Sequence, residues 1–482
     1  PHMNSLGGDN FWLISDKNNN VTAIDSCGGA SENASREFYI NQGLKSIPPR
    51  GPLAALTVPG AVGGWKAAND FSVKKLGGKL PLNRLLYDAE QTANEGIAVT
   101  NTLRKNLNSK LTQLIDIPGF KDIYLKNGKI PKLGDKLLFP AMSKTFSNLI
   151  KNGLDDFYSG EVSRDIISDL ARLGSPLTKS DFAKFESTFV KPLELQIKGA
   201  KLFNLPPPTQ GISSIMLLGV LDNLKNIYDN DFSFIHNIVE ATKVVFKIRD
   251  KYICDPKYME KNINDFLAKN FIKDLAVNIN PNIAMPWPDA SLGGDTVWLG
   301  ASDNYGNSVS FIQSIYWEFG SGLILPKTGI TMQNRGISFS LDETHFNKLI
   351  PGRKPFHTIQ PALAHFDDGR VLTYGTMGGE GQPQTQAIIF SRYAYQNQNL
   401  QKAINDPRWL LGKTWGDETT SLKIEKRFST ETLDKLISKG HNVEVVSDFD
   451  EMMGHAGGIV RHSNKLVEGA FDNRSDGAAI GE

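Results

Sequence analysis

The chain has 482 residues, 40 % hydrophobic and 22 % charged, a composition that excludes disorder as its main state. Its 53 basic and 52 acidic residues leave a net charge of +1, so there is no cationic excess for a nucleic-acid partner. No apolar run reaches the length of a membrane span, and the two cysteines, Cys27 and Cys254, cannot build a disulfide framework and read as free thiols.

Residues 1–64 read as strands and glycine turns. Phe11–Ser15 and Val21–Asp25 flank the polar turn Asp16–Asn20 in a hairpin pattern, and Pro48–Pro52 forms a rigid loop. Residues 65–285 read as mostly helical. Leu82, Leu85, Leu86 and Ala89 repeat at helical spacing, and Lys191–Lys201, Ile215–Ile227 and Phe234–Ile248 read the same way. Ser180 and Asp181 are expected to cap the run from Phe182, Pro192 to open the next helix, and Pro206-Pro207-Pro208 to separate two helices. Beyond residue 286 the pattern returns to strands: Val297–Ser302 and Ser308–Tyr316 around a turn at 303–307, then Val371–Thr376, Leu422–Lys426, Val443–Ser447, Gly458–His462 and Leu466–Asp472. Helices are expected at Thr385–Gln396, Asn399–Ile404 and Ser429–Lys439. Strands at both ends with helices between predict one layered α/β (α+β) body.

The sharpest local feature is Gly293-Gly294-Asp295-Thr296, directly before a strand. One reading is a plain loop. The other is an N→O acyl shift, in which the Thr296 hydroxyl attacks the Asp295 carbonyl and frees a new N-terminus at Thr296. That threonine would then use its own α-amine, with a pKa of about 8, as general base. A turn centred near Tyr305 places Ser314 across from Thr296 to within about one residue, where its hydroxyl could orient the nucleophile. Gly378-Gly379, after the strand Val371–Thr376, reads either as a turn or as two N–H donors aimed at an oxyanion. Trp298 and Trp317 read as packing or as pocket walls, and Arg50 as a surface charge or a substrate contact. Neither cysteine has metal-ligand spacing and no phosphate loop is present, so no metal and no cofactor is expected.

Asp295–Gln313, Phe319-Gly320-Ser321-Gly322, Met332–Gly336, Arg353–Thr358, Gly375–Gly379 and Asp472–Gly477, with the opening Pro1–Gly8, resemble the γ-glutamyltransferase family of N-terminal-nucleophile hydrolases over nearly the whole chain. The resemblance implies a four-layer αββα sandwich cut between Asp295 and Thr296 into a large subunit, 1–295, and a small subunit, 296–482, forming one integrated fold. It implies Thr296 as nucleophile, Ser314 in place of a second threonine, and Gly378 and Gly379 as oxyanion donors.

Departures from the family pattern bear on substrate. Asp25–Gly29 lacks the arginine that grips a glutamyl α-carboxylate. Ser338 stands where an aspartate holds the α-amine, Arg335 replaces a glutamine, and His357 and Thr358 replace paired serines. Tyr316 stands where the transferases place a polar side chain, and is expected to shape the pocket. Without those charged contacts a zwitterionic glutamyl group is not the obvious ligand. Arg335 could instead bind a small carboxylate bidentately or form a structural ion pair, and Ser310–Gly322 with Arg335 and Gly375–Gln386 resembles the branch containing oxamate amidohydrolase. The expected activity is hydrolysis of a small carboxylate-bearing amide. The alternatives are a γ-glutamyl hydrolase or transferase acting on glutathione-like amides, and a non-catalytic relic with a binding role. A cytoplasmic location and pairing of two processed units are further expectations.

Overall fold

The computed structural model describes residues 2–287, 295–412 and 419–481. The chain divides into two compact units. One comprises Pro1–Asn10, Ile24–Thr188 and Gln313–Pro355; the other comprises Phe11–Ala23, Phe189–Ile312 and Phe356–Glu482. Each unit therefore mixes chain from both sides of the Asp295–Thr296 bond.

Two main sheets are present among the described residues. The five-stranded sheet runs in the order Thr188–Val190, Val21–Ser26, Asp9–Ser15, Ser308–Tyr316, Asp295–Ser302. The six-stranded sheet runs Val467–Phe471, Ala456–Arg461, Val371–Thr376, Ala362–Phe366, Ala200–Asn204, Leu193–Ile197. All its ladders are antiparallel.

Within the second unit, Asp295–Ser302 lies against Val371–Thr376 and Ala456–Arg461, sheet on sheet. Trp298 fills the space between them. A Cβ on Gly375 would come within 2.1 Å of its ring, on Gly457 within 2.5 Å and on Gly300 within 2.7 Å. Only glycine leaves room for the indole there, whose Nε1 donates to Ser310 Oγ at 3.0 Å. Trp298 is thus a packing residue. The helix Gly211–Asp222 packs on Leu193–Ile197 and Ala200–Asn204, and Gln382–Ala394 packs on Val371–Thr376. Gly211–Asp222 is buried along almost its whole length, which explains its unbroken apolar run. No helix among the described residues is long and apolar enough to cross a membrane. In the first unit the helix Ala61–Phe71 sets Gly64 against Asn10 and Ser26, where a Cβ would overlap the Asn10 side chain.

Several expectations are corrected. Lys191–Lys201 is a hairpin, not a helix: Leu193 and Ile197 are buried while Glu194 and Gln196 are exposed, a period of two, and Gly199 turns the chain with φ +80°. Pro192 accordingly precedes a strand, and the triple proline separates a strand from a helix. The helix Lys179–Ala183 is capped not by Ser180 but by Thr178, whose side chain and Asp181 form a reciprocal capping box. The opening stretch also contains helices, at Arg36–Ile40 and from Ala61.

Candidate active site

In the second unit, Thr296 follows Asp295 at the head of its strand and is 1 % exposed. Its Oγ1 accepts a hydrogen bond from Gln382 Nε2 at 3.3 Å. Gly293 and Gly294 lie outside the described residues, as does the Asp295 side chain. The hairpin turn closes through Asp303 Oδ1, which accepts from the N–H groups of Tyr305, Gly306 and Asn307. Asp303 N–H donates to Asn307 O, and the Ser302 and Ser308 hydroxyls meet at 3.0 Å, which is the turn register the sequence predicts.

Gly378 and Gly379 both have left-handed backbones, with φ +112° and +51°. Space does not demand glycine at 378, where a Cβ would meet nothing closer than 3.4 Å; the conformation does. Gly381 N–H donates to Gly378 O at 2.8 Å, closing a single turn before the helix Gln382–Ala394. Left-handed turns of this kind can present successive N–H groups to one anion.

Gln210 braces this turn, its Nε2 donating to Gly379 O at 2.8 Å and to Thr358 O at 2.5 Å. Arg249 donates to Gln210 Oε1 at 2.9 Å and to Glu380 at 3.0 Å, and lies 3.7 Å over the Phe246 ring. Burial opposes its charge, but Asp250 and Glu380 outweigh burial and hold the guanidinium firmly ionised. His357 is buried, with its N–H on Pro208 O and its carbonyl accepting from Gln210 N–H; its ring meets Phe11 edge-on at 5.0 Å.

The first unit holds the remaining candidates. Ser314 Oγ accepts from Tyr316 N–H at 2.8 Å. Tyr316 is buried with φ +82°, a strained backbone for a residue with a side chain. Arg335 Cζ lies over the Tyr316 ring, 3.8 Å from its centre, and the residue is fully buried. Burial lowers its pKa to about 10, against the opposing influence of Tyr316, Asp9 and Cys27. Asp9 is pushed up to about 7 by burial, although the Gly60 N–H (2.8 Å), Arg335, Gln333 and the Gly28 N–H all favour its charge. Ser338 ends the short helical turn from Arg335, and its buried Oγ has no hydrogen-bond partner among the described residues. Asp25, in the stretch lacking the family arginine, pairs with Lys354 at 2.7 Å.

Arg50 is half-buried and engaged with the backbone, not a plain surface charge. It donates to Glu318 O at 2.7 Å and to Gly320 O, and sits 5.4 Å from the centre of Trp317, bracing the 317–322 turn.

Sequence reasoning missed Gln382, Gln210, Arg249 and Asp9. For Gln382 a signal existed: Pro383 marks a helix start, and Gln382, Gln384 and Gln386 then fall on a segment buried throughout. Glutamines at such positions need polar partners.

One group with metal-ligand chemistry stands out among the described residues: His236, Glu240 and His441, with donor atoms within 4.8 Å of one another. Here the carboxylate is already matched, by Lys243 Nζ at 2.7 Å and Met285 N–H at 2.9 Å. His236 Nε2 donates to Asn280 O at 2.7 Å and its Nδ1 meets His441 Nε2 at 2.9 Å. The cluster grips residues 280–285 as a clasp.

The gamma-glutamyltranspeptidase family model matches residues 1–482. The oxamate amidohydrolase proenzyme of Klebsiella pneumoniae is 48 % identical over 481 residues, covering all of this chain and 91 % of that protein. The glutathione hydrolase-like YwrD proenzyme of Bacillus subtilis is 37 % identical over 484 residues, with coverage of 100 % and 91 %. Cephalosporin acylase from Bacillus halodurans superposes with a TM-score of 0.90 at 28 % identity, covering 100 % of this chain and 89 % of that one. The chain is therefore an enzyme with the four-layer αββα fold of the N-terminal-nucleophile hydrolases, and it belongs to the gamma-glutamyltranspeptidase family.

Proposed function

We propose that the chain is a self-cleaving N-terminal-threonine amidohydrolase whose substrate is a small amide bearing a carboxylate, of the oxamate type. In scission, Thr296 Oγ1 bonds to the Asp295 carbonyl carbon, the C–N bond breaks, and the proton passes to the departing nitrogen. Water then opens the ester, leaving a carboxylate on Asp295 and a free amine on Thr296. In turnover, the same oxygen attacks the substrate amide while the α-amine takes its proton and delivers it to the leaving amine. The Gly378 and Gly379 N–H groups stabilise the oxyanion, and water releases the acid from the acyl-enzyme.

The observation that carries the substrate class is Arg335, buried against Tyr316, in a chain where Ser338 replaces the amine-binding acid. A guanidinium so placed favours a carboxylate and offers nothing to an ammonium group. The name of the Klebsiella relative supports this reading. The name of the Bacillus relative favours a second one, hydrolysis of glutathione-like γ-glutamyl amides.

Two measurements test the proposal. Intact mass under denaturing conditions should show pieces of 295 and 187 residues split at Thr296. Ammonia release from oxamate should then exceed turnover of a γ-glutamyl anilide. The reverse preference would favour the second reading, and an uncut, inactive chain would favour a non-catalytic protein.

A further inference from the structure

Behind Thr296 lies a row of buried side-chain amides whose ends are fixed from outside the row. Leu205 N–H donates to Asn204 Oδ1 at 2.8 Å, so the Asn204 amide nitrogen must face the other way, and it donates to Gln360 Oε1. Gln360 Nε2 then faces Gln386 Oε1 at 2.8 Å, and that oxygen also accepts from Ser214 Oγ. Gln386 Nε2 returns to Gln360 O at 3.2 Å. The Gln360 backbone N–H donates to Gln382 Oε1 at 3.2 Å. A backbone N–H can only donate, so Gln382 cannot flip, and its Nε2 must be the end that meets Thr296 Oγ1. Gln382, Gln360, Gln386 and Asn204 are all fully buried.

This arrangement has a directional consequence. A hydroxyl oxygen that accepts from a fixed donor has its own proton turned elsewhere. Thr296 is buried, so the Gln382 amide occupies one acceptor position of its Oγ1 and restricts the directions in which the O–H can point.

We propose that Gln382 is the positioning residue for the Thr296 hydroxyl, acting in scission and in turnover alike. This rests on the reading of Thr296 as nucleophile. Gln382 exchanges no proton and forms no bond; it holds the attacking oxygen in one orientation against a donor that the glutamine row keeps in place.

The test uses the full chain, purified early and followed by intact mass, because scission is a single-turnover reaction that needs no added substrate. Thr296→Ala establishes whether Thr296 is the nucleophile. Gln382→Met keeps the length and removes the donor; Gln382→Glu keeps the shape and the acceptor for Gln360 N–H, and serves if the methionine variant does not fold. Both should slow scission about tenfold, the effect of losing one neutral hydrogen bond, while reaching the wild-type end-point. On the mature enzyme, kcat for oxamate should fall by about the same factor with KM unchanged.

If Thr296→Ala stays uncut and the Gln382 variants cleave within twofold of wild type, the positioning role is refuted and the nucleophile stands. Normal cleavage of Thr296→Ala would remove the nucleophile itself. A lowered end-point at an unchanged rate would mean that Gln382 serves folding only, which also overturns the proposal.

Discussion

Asp9 offers a quantitative check on the electrostatics of the first unit. Its carboxyl is buried beside Arg335, Cys27 and Tyr158, and burial raises its pKa from 3.8 to about 7. The unfolded chain releases this proton near its ordinary value, whereas the folded chain keeps it to near neutrality. The folded state therefore binds the extra proton across that window. The associated stability is complete at the acid end, is lost as pH rises through the window, and changes no further above about 7.

Each unit of pKa difference is worth about 1.4 kcal/mol, so between about pH 5 and pH 8 the wild type should lose about 3 kcal/mol through this group. Asp9→Asn keeps an oxygen for the Gly60 N–H and has no proton to lose, so this part of the slope should vanish. Urea denaturation followed by tryptophan fluorescence at the two pH values gives the comparison; Trp65, which donates to Gln313 at 2.9 Å, reports on the same unit. The gap between variant and wild type should shift by about 3 kcal/mol in favour of the variant on going from the lower to the higher pH. A gap that stays constant would show that Asp9 titrates as an ordinary carboxylate, and the argument from its burial would fail.

Arg335→Met should raise KM for oxamate roughly thirtyfold, the loss of about 2 kcal/mol of charge-assisted hydrogen bonding, in steady-state ammonia-release assays. Gly375→Ala should force Trp298 out of its slot and cost about 1–3 kcal/mol, read as a lower thermal midpoint and altered near-UV circular dichroism. Lys243→Met should cost about 3–5 kcal/mol by leaving the buried Glu240 carboxylate without its cation, and Glu240→Gln in the same chain should recover part of that loss.

Local pattern carried much of this architecture. Hairpins with turn chemistry, such as 303–307, and helices with a one-sided apolar stripe, such as Leu82–Glu95, follow from neighbours in sequence. Lys191–Lys201 misled because Leu193 and Ile197, four apart, also fit a helix, whereas Leu193, Leu195 and Ile197 alternating with Glu194 and Gln196 are the period of two of a strand. Thr296, Gly378 and Gly379 stood out as candidates through the family resemblance, because each glycine pair beside a strand reads alone as an ordinary loop or turn. The brace formed by Gln210, Arg249 and Glu380 was not: its members come from positions 210, 249 and 380, and only the folded chain juxtaposes them.

The ladder joining Ala362–Phe366 to Ala200–Phe203 has a consequence for how such a protein can be made. One strand lies before the Asp295–Thr296 bond and its partner after it, within a single hydrophobic core. A break at that bond would turn an internal seam into the boundary between two polypeptides, neither able to bury its share of the core alone. Produced separately, the piece from Thr296 onward would present the Ala362–Phe366 edge as a bare template for other strands. If the chain is cut there, the uncut precursor would act as the scaffold of its own product, and separating the pieces afterwards would amount to unfolding them.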